Sequence, residues 1–164
     1  MLQMFKALNY LHGKHVLHKD ISTRNCWLDS NLSLKLADTA LSRDLFPDDF
    51  QCLADNENKP VFWLAIETLK DNVLDIQTEI WACGVFLWEC FSLAAQPYEG
   101  MDPFEMQDYL TANESNRLQK PVNCPNELFD MFKNCWHSMP EERPTLKEVF
   151  YSLHKFYSNL DNYV

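Results

Sequence analysis

The sequence has 164 residues, of which 46% are hydrophobic and 13% aromatic, and its formal charge is −10 at pH 7. A chain of this length usually forms one domain with a sizeable core, and its excess of acids argues against non-specific binding to nucleic acid or to an anionic membrane. No apolar run approaches the roughly 18 residues that span a bilayer. The six cysteines include no C-x-x-C pair, which is typical of reduced thiols in a cytosolic domain.

Apolar residues recur at every third position at the start of the chain, which predicts an amphipathic helix over residues 1–12. Gly13 follows this pattern and is expected to end the helix in the left-handed conformation. The residues that form the pattern are Leu2, Phe5, Leu8 and Leu11.

The next stretch, residues 18–26, begins the most informative spacing in the chain. Asp20 is followed five residues later by Asn25, and a second acid, Asp38, comes thirteen residues after that amide. A carboxylate can accept a proton from an attacking hydroxyl, and an amide with a second carboxylate can supply oxygen ligands to Mg²⁺ on a nucleotide. Each residue by itself is also common in turns and helix caps. The joint spacing, rather than any one residue, therefore indicates phosphoryl transfer.

Two short apolar runs, 26–28 and 34–36, flank a turn-rich stretch and predict a β-hairpin. This hairpin would hold Asn25 and Asp38 close together at its two ends. Residues 38–67 then show little periodicity, and an irregular segment of this length in a compact domain is usually functional or disordered. The segment contains no tyrosine, and its acids include Asp48, Asp49, Asp55 and Glu57.

Further helices are predicted in the second half of the chain. Residues 76–93, which include Trp81, are apolar on nearly every side, so this helix is expected to lie at the centre of the core. Asn72 and Asp75 are candidate N-caps of this helix, Thr145 is a candidate N-cap of the last helix, and Pro103 suits a first helical turn. The other predicted helices span 103–112, 126–136 and 145–159. With only one hairpin of β structure, the predicted fold class is mainly α.

Several motifs occur in the order in which protein kinases have them. His18-Lys19-Asp20, with Asn25 following, resembles the H-R-D motif, Asp38-Thr39-Ala40 resembles D-F-G, and Ala65-Ile66-Glu67 resembles A-P-E. The tract 60–65 is similar to the tyrosine-kinase branch. A closer resemblance is to the Ryk/Derailed group of Wnt-receptor pseudokinases. It rests on residues 41–60 and 102–106 and on the terminal Tyr163-Val164.

The resemblance implies a protein-kinase C-terminal lobe over residues 1–160, followed by a short tail, 161–164. Such a lobe is a helical bundle with a short β-hairpin bearing the catalytic loop, here residues 18–26, and with a long activation segment, here residues 38–67. The smaller lobe of a kinase supplies a Gly-rich loop and a lysine. This sequence has glycines only at positions 13, 84 and 100 and contains no G-x-G-x-x-G, so the smaller lobe is expected to be absent. ATP and Mg²⁺ are the family's cofactors, and this chain by itself is expected to bind neither.

The resemblance also implies roles in catalysis for individual residues. Asp20 stands at the position of the proton acceptor and Arg24 at that of the catalytic-loop arginine. Asn25 and Asp38 stand at the positions that hold Mg-ATP in the family. His18 is expected to pack under the catalytic loop.

Four more residues have structural roles in this comparison. Glu67 is expected to pair with Arg143 and so to join the activation segment to the last helices. Glu79 stands in place of an aspartate that holds the backbone of the catalytic loop, and its extra methylene could preserve or shift that contact. Trp81 belongs to the central helix.

Several positions depart from the family pattern. Lys19 replaces an arginine that grips a phosphate on the activation segment, and lysine cannot make the bidentate contact. Because residues 38–67 also lack tyrosine, control by phosphotyrosine is not expected. Thr39 and Ala40 replace the phenylalanine and glycine after the metal acid, so Asp38 is expected to be present but wrongly aimed. The weaker candidates for phosphorylation are Thr39, Ser42 and Thr68.

Three functional interpretations stay open on the sequence. The first is a pseudokinase module of a Ryk/Derailed-like Wnt receptor, a docking platform on the cytoplasmic side of the plasma membrane in a single-pass protein. The second is part of an active receptor tyrosine kinase, and the third is a truncated product without an independent role. The expected partners are signalling proteins that dock on the lobe and Wnt-pathway components through the parent receptor. A PDZ domain could also bind the terminal Val164, and no nucleic acid is expected.

Overall fold

The computed structural model describes residues 1–53 and 57–159. Within them the chain forms mainly helices, together with one small antiparallel sheet. The predicted mainly α fold is therefore confirmed. The helices are α1 (Leu2–Gly13), α2 (Thr39–Leu45), α3 (Ile66–Asp71), α4 (Ile76–Ser92), α5 (Pro103–Ala112), α6 (Asn126–Cys135) and α7 (Leu146–Ser158). The strands are β1 (Cys26–Leu28) and β2 (Leu34–Leu36).

Helix α4 lies at the centre of the core, as its apolar sequence predicts. Trp81 in its second turn is fully buried. The helix begins with a capping box in which the Asp75 carboxylate accepts from the N–H of Thr78 at 2.9 Å. That contact satisfies a backbone donor that the first turn leaves unpaired. Of the two candidate caps, Asp75 is confirmed, whereas Asn72 ends α3 in the left-handed conformation. The predicted position of the helix is also confirmed.

Helix α6 packs directly on α4, and Gly84 makes the close approach possible. A Cβ at this position would lie 2.6 Å from Nε1 of Trp136 and 2.8 Å from Cβ of Cys135. Both of those residues are buried. The α4–α6 contact therefore requires a residue without a side chain at position 84.

The two strands form the hairpin that the sequence predicts, with Cys26 opposite Leu36. Just beyond that pair, the N–H of Ala37 donates to the carbonyl of Asn25 at 2.8 Å. Gln3 of α1 holds the other end of the hairpin, since its side-chain amide bonds the backbone of Leu32 and of Leu34. The hairpin therefore brings the chain around Asn25 next to the residue that precedes Asp38.

The end of α1 differs from the prediction. Gly13 is the last residue of the helix, and the left-handed conformation occurs two residues later at His15, with φ of 56°. The N–H groups of Lys14 and His15 bond the carbonyls of the last helical turn. Gly13 is therefore not the left-handed stop, because the turn that ends the helix is made by the residues after it.

Helix α2 was not predicted, because residues 38–67 show no helical periodicity over a useful length. Its seven residues begin directly after Asp38. The described part of residues 46–65 is irregular apart from short 3-10 turns at 47–49 and 61–63 and a bridge between Gln51 and Lys59. Asp55 lies outside the described residues.

Within residues 1–53 and 57–159, no helix is long and apolar enough to cross a membrane. The six cysteines all lie in this part of the chain and are free thiols. Burial raises the pKa of the Cys90 and Cys135 thiols to about 12, which keeps both protonated at neutral pH. The tail, 161–164, lies outside the described residues, so its predicted boundary stays a prediction.

Candidate phosphoryl-transfer site

The backbone of the catalytic loop is held by Glu79 of α4, the residue that replaces the family's aspartate. One oxygen of its buried carboxylate accepts from the backbone N–H of Lys19 at 2.7 Å, and the other lies 2.6 Å from Nε2 of His12. Lys19 has a φ of 69°, a conformation that costs free energy for a residue with a side chain. The longer glutamate side chain therefore preserves the predicted contact and supports a strained loop residue.

A second buried acid of α4, Glu89, holds the other side of the loop. Its carboxylate accepts from the hydroxyl of Thr23 at 2.6 Å, from the N–H of Thr23 at 3.1 Å and from the indole N–H of Trp63 at 3.0 Å. Burial raises the pKa of Glu89, and these hydrogen bonds oppose that effect. The role of Glu89 was not predicted, although an acid inside an apolar helix indicates a buried polar contact.

His18 lies where the catalytic loop meets the start of the activation segment. Its Nε2 is 2.7 Å from the carbonyl oxygen of Ala37, and its Nδ1 accepts from the N–H of Asp20 at 3.3 Å. The ring thus connects the backbone on both sides of the hairpin. This agrees with the predicted position under the loop.

The carboxylate of Asp20 is buried and surrounded by donors from its own chain. The Arg24 guanidinium donates to one oxygen. The amide of Asn25 and the hydroxyl of Ser42 donate to the other oxygen, at 2.8 and 3.3 Å. An attacking hydroxyl in phosphoryl transfer would have to donate its proton to this same group. In this conformation Ser42 of α2 takes the place of such a hydroxyl.

Arg24 lies between two aromatic rings of the activation segment. Its guanidinium carbon is 4.2 Å from the centre of the Trp63 ring and 4.9 Å from that of Phe50. A second contact joins Arg24 to Asp49 at 3.3 Å, where burial raises the pKa of the Asp49 carboxyl against the opposing effect of Arg24. Stacking and charge pairing thus join the activation segment to the group that contacts Asp20.

Asp38 is the N-cap residue of α2. Its Oδ1 accepts from the N–H of Ala40 at 3.1 Å, and the residue is exposed. Short acids are favoured at this position because they satisfy a free N–H of the first turn. One oxygen of Asp38 is thus used by the helix cap, and that Asp38 is wrongly aimed for a metal stays a prediction.

The residues at the family's metal positions fit Mg²⁺ only in part. Oδ1 of Asn25 is buried and has no hydrogen-bond partner among the described residues, so this amide oxygen is available as a ligand. Asp38 instead uses a carboxylate oxygen to cap α2. No group of three or more His, Cys, Asp or Glu side chains that could hold a metal occurs within residues 1–53 and 57–159. Asn25 therefore keeps a free amide oxygen as a candidate ligand, whereas one of the two Asp38 oxygens is engaged in the helix cap.

The predicted pair of Glu67 and Arg143 is present and bidentate. The guanidinium donates to the two carboxylate oxygens at 2.5 and 2.9 Å. It also donates to the carbonyls of Gln77 and His137 and lies 5.2 Å above the ring of Trp81. The pair joins the end of the activation segment to the last part of the lobe, as expected.

Two of the three candidate phosphorylation sites, Ser42 and Thr68, are buried in this structure. Ser42 and Thr68 are 3% and 4% exposed, and the Thr68 hydroxyl donates to the carbonyl of Val73 at 2.7 Å. A modifying enzyme could not reach either hydroxyl without opening the surrounding segment, so Ser42 and Thr68 are poor candidates for phosphorylation in this conformation. Val164, which was named as a possible PDZ ligand, lies outside the described residues.

Comparison with known proteins places this site in a known family. The model of the family described as protein tyrosine and serine/threonine kinase matches residues 1–153. The chain is 47% identical to the tyrosine-protein kinase Dnt of Drosophila melanogaster, over 99% of this chain and 27% of Dnt. It is 45% identical to the human tyrosine-protein kinase RYK, over 99% of this chain and 26% of that protein.

A third relative is named as inactive. The chain is 37% identical to the inactive tyrosine-protein kinase RYK of Caenorhabditis elegans, over 99% of this chain and 28% of that protein. The chain thus spans about a quarter of the length of these curated relatives. The similarity confirms the resemblance to the Ryk/Derailed group that the motifs indicate.

Proposed function

The chain belongs to the protein tyrosine and serine/threonine kinase family, and we propose that it is a pseudokinase module that docks signalling proteins rather than transferring phosphate. The observation that carries this proposal is the occupied carboxylate of Asp20. Arg24, Asn25 and Ser42 all donate to it, and the residue is only 2% exposed. A buried general base that already accepts from three donors of its own chain can take a proton from a substrate hydroxyl only if the hydroxyl displaces one of these contacts.

The changed D-F-G motif supports the same proposal. In the family, this acid holds Mg²⁺, and the metal neutralises charge that develops on the transferred phosphoryl group. Here Asp38 caps α2 instead. The helix that Asp38 starts is also the helix that presents Ser42 to Asp20, so the two departures from a working site come from one structural change.

Divalent-metal binding tests the proposal on the chain itself, because both family ligands lie within it. We expect the 164-residue chain, titrated with Mn²⁺ and followed by water proton relaxation, to show the same weak binding as its Asp38→Asn variant. Asp44→Asn is the matched control, since Asp44 is an exposed acid of the same helix. Saturable Mn²⁺ binding that is lost in Asp38→Asn and kept in Asp44→Asn would contradict the proposal.

A phosphotransfer assay gives the second readout. With radiolabelled Mg-ATP and a poly(Glu, Tyr) substrate, we expect no labelling above that of Asp20→Asn. Robust labelling by the unmodified chain that disappears in Asp20→Asn and in Asp38→Asn would show an active enzyme and remove the pseudokinase proposal.

One observation favours the second candidate, an active tyrosine kinase. The buried amide oxygen of Asn25 has no partner among the described residues, and a buried polar atom without a partner costs free energy. Coordination of a metal ion by this oxygen would offset that cost. If α2 unfolds, Asp38 and Asp20 are both released, so hydrogen exchange that shows α2 open in the presence of Mg-ATP would favour this candidate.

The setting of the module is also a proposal. Similarity to RYK and Dnt over about a quarter of their length supports a place in a Ryk/Derailed-type receptor, on the cytoplasmic side of the plasma membrane. Its partners would then be signalling proteins, including components of the Wnt pathway.

We also propose that the last residues of the chain, which include Tyr163 and Val164, bind a PDZ domain. A pull-down of PDZ domains with a peptide of the last ten residues tests this. Capture that is lost when Val164→Asp is introduced is the expected result, and equal capture by both peptides would contradict it.

A further inference from the structure

We propose that the groove between α1 and α7 binds an acidic peptide segment of a partner protein that carries a bulky apolar anchor. The groove, here called the α1–α7 groove, has a volume of about 490 Å³. Its apolar lining includes Phe5, Leu146 and Phe150, and its polar lining includes Lys6, Lys147 and Tyr151. The site shares no residue with the catalytic loop.

The groove is basic, although the chain as a whole is strongly acidic. The first 19 residues contain no Asp or Glu. The only acid of α7 is Glu148, whose carboxylate accepts from the N–H and the hydroxyl of Thr145 at 2.7 and 2.8 Å. These contacts hold the pKa of Glu148 below its usual value. Among the side chains that line the groove, the charged ones are Lys6 and Lys147.

Each helix presents the same arrangement of side chains along its exposed face. Lys6 and Tyr10 are four residues apart on α1, and Lys14 follows at the same interval just after the helix ends. Helix α7 has the same order at the same spacing in Lys147, Tyr151 and Lys155. Residues four apart lie on one face of a helix. The two tyrosines are 66% and 70% exposed, and the Lys14 ammonium is 5.9 Å from the centre of the Tyr10 ring.

These features specify the chemistry of the ligand. Lysines on both sides of the groove attract carboxylates and increase the rate of encounter with an acidic segment. Exposed tyrosines supply amphipathic contact area of the kind found at protein interfaces, and a concave apolar floor accommodates an inserted side chain, as in helix-in-groove recognition. A membrane surface offers no side chain to fill a groove of this volume, so we choose a peptide as the occupant.

The inference extends the proposed docking function, because it names a surface and the chemistry of its partner. It does not require that Asp20 be inactive. Mn²⁺ binding and phosphotransfer test the site at Asp20, whereas peptide binding tests the α1–α7 groove, so either proposal can fail without the other.

Selection from a random library of twelve-residue peptides on phage, with the full 164-residue chain as the target, tests the inference. We expect the enriched peptides to combine two or more acids with a Leu, Phe or Trp anchor. The best of them, labelled with fluorescein, should bind with a Kd that rises at least tenfold in Lys6→Glu/Lys147→Glu. Lys35→Glu/Lys70→Glu has the same net charge and changes two exposed lysines outside the groove, so its Kd should stay within twofold.

Two further variants separate the apolar contact from the charge. Tyr151→Ser should raise the Kd at least threefold, whereas Tyr157→Ser should leave it unchanged, since Tyr157 is an equally exposed residue of α7 that does not line the groove. Circular dichroism of each variant checks that the fold is kept.

The proposal is wrong if no peptide is enriched, if the enriched peptides lack acids, or if both double variants weaken binding equally. It is also wrong if the groove is used for something else. Binding to phosphatidylserine vesicles that depends on Lys6 and Lys147 would indicate a membrane surface. Self-association in sedimentation equilibrium that is lost in the groove variant would indicate a second copy of the chain.

Discussion

Removal of Glu67 from its pair with Arg143 should strongly destabilise the protein, because it leaves a charge in the core without a counter-ion. The Arg143 side chain is completely buried, whereas that of Glu67 is 17% exposed. In Glu67→Ala, the guanidinium loses two charge-assisted hydrogen bonds, each worth about 1.5–3 kcal/mol. It keeps the carbonyls of Gln77 and His137 and the ring of Trp81, which offset part of the loss.

The expected loss of unfolding free energy is therefore about 3 kcal/mol, the lower part of the range for a buried pair broken from one side. Urea unfolding followed by circular dichroism at pH 7 measures it, and a fall in Tm of about 6–12 °C should accompany it. The Glu67→Ala/Arg143→Met variant removes both charges, and we expect it to lose less than the sum of the two single losses.

The pair of Asp130 and Lys133 on α6 is the matched control. Its charged atoms are 2.8 Å apart, but both side chains are more than half exposed, so Asp130→Ala should cost less than about 1 kcal/mol. If Glu67→Ala costs no more than Asp130→Ala, or if the double variant shows full additivity, the pair does not join the activation segment to the core as we argue.

The remaining predictions concern α4 and its neighbours. Gly84→Ala should lower the unfolding free energy by about 1–2 kcal/mol in urea, because overpacking against Trp136, at about 1–3 kcal/mol, outweighs the gain of up to about 1 kcal/mol in helix propensity. Gly13→Ala, where nothing lies within 4 Å of the added Cβ, should stabilise by up to about 1 kcal/mol, and equal effects at both glycines would contradict this explanation. Glu89→Gln keeps the geometry if the Thr23 hydroxyl becomes the acceptor of the new amide. Because the pKa of Glu89 is raised in the folded state, its contribution to stability is full below the ordinary carboxyl pKa of about 4.3 and is lost as the pH rises through the raised value. The stability of Glu89→Gln relative to the unmodified chain should therefore increase with pH over that interval in urea titrations, and a pH-independent difference would show that Glu89 does not titrate there.

Those features of the fold that depend on local pattern could be predicted from the sequence. The alternation and turn residues of 26–36 predict the hairpin, and the apolar surface of 76–93 predicts a buried central helix. Capping is equally local, which explains why Asp75 and Thr145 were identified as N-caps and are confirmed. The pair of Glu67 and Arg143 was predicted only through the family resemblance, since 76 residues separate the two.

The contacts that the sequence did not reveal are those that depend on distant parts of the chain. Glu89 is one residue of an apolar helix until folding places Thr23 and Trp63 beside it. The groove lysines, Lys6 and Lys147, lie at opposite ends of the sequence and share a surface only because α1 packs on α7. No local pattern contains either arrangement.

Helix α2 explains why Asp38 serves as a helix cap and Ser42 contacts Asp20 in the same structure. After Asp38, the family pattern would place a phenylalanine and then a glycine, which lowers helix propensity. This chain has Thr39 and Ala40, and alanine is the best helix former. With an aspartate already in the N-cap position, the first turn is stabilised by the cap hydrogen bond to Ala40. Once this turn forms, Ser42 lies one turn further along, at hydrogen-bonding distance from Asp20. The replacement of phenylalanine and glycine by Thr39 and Ala40 removes the usual support of Asp38. The same replacement favours helix α2, which covers Asp20. For this reason, a test of phosphoryl transfer must consider Asp38 and Asp20 as one coupled unit.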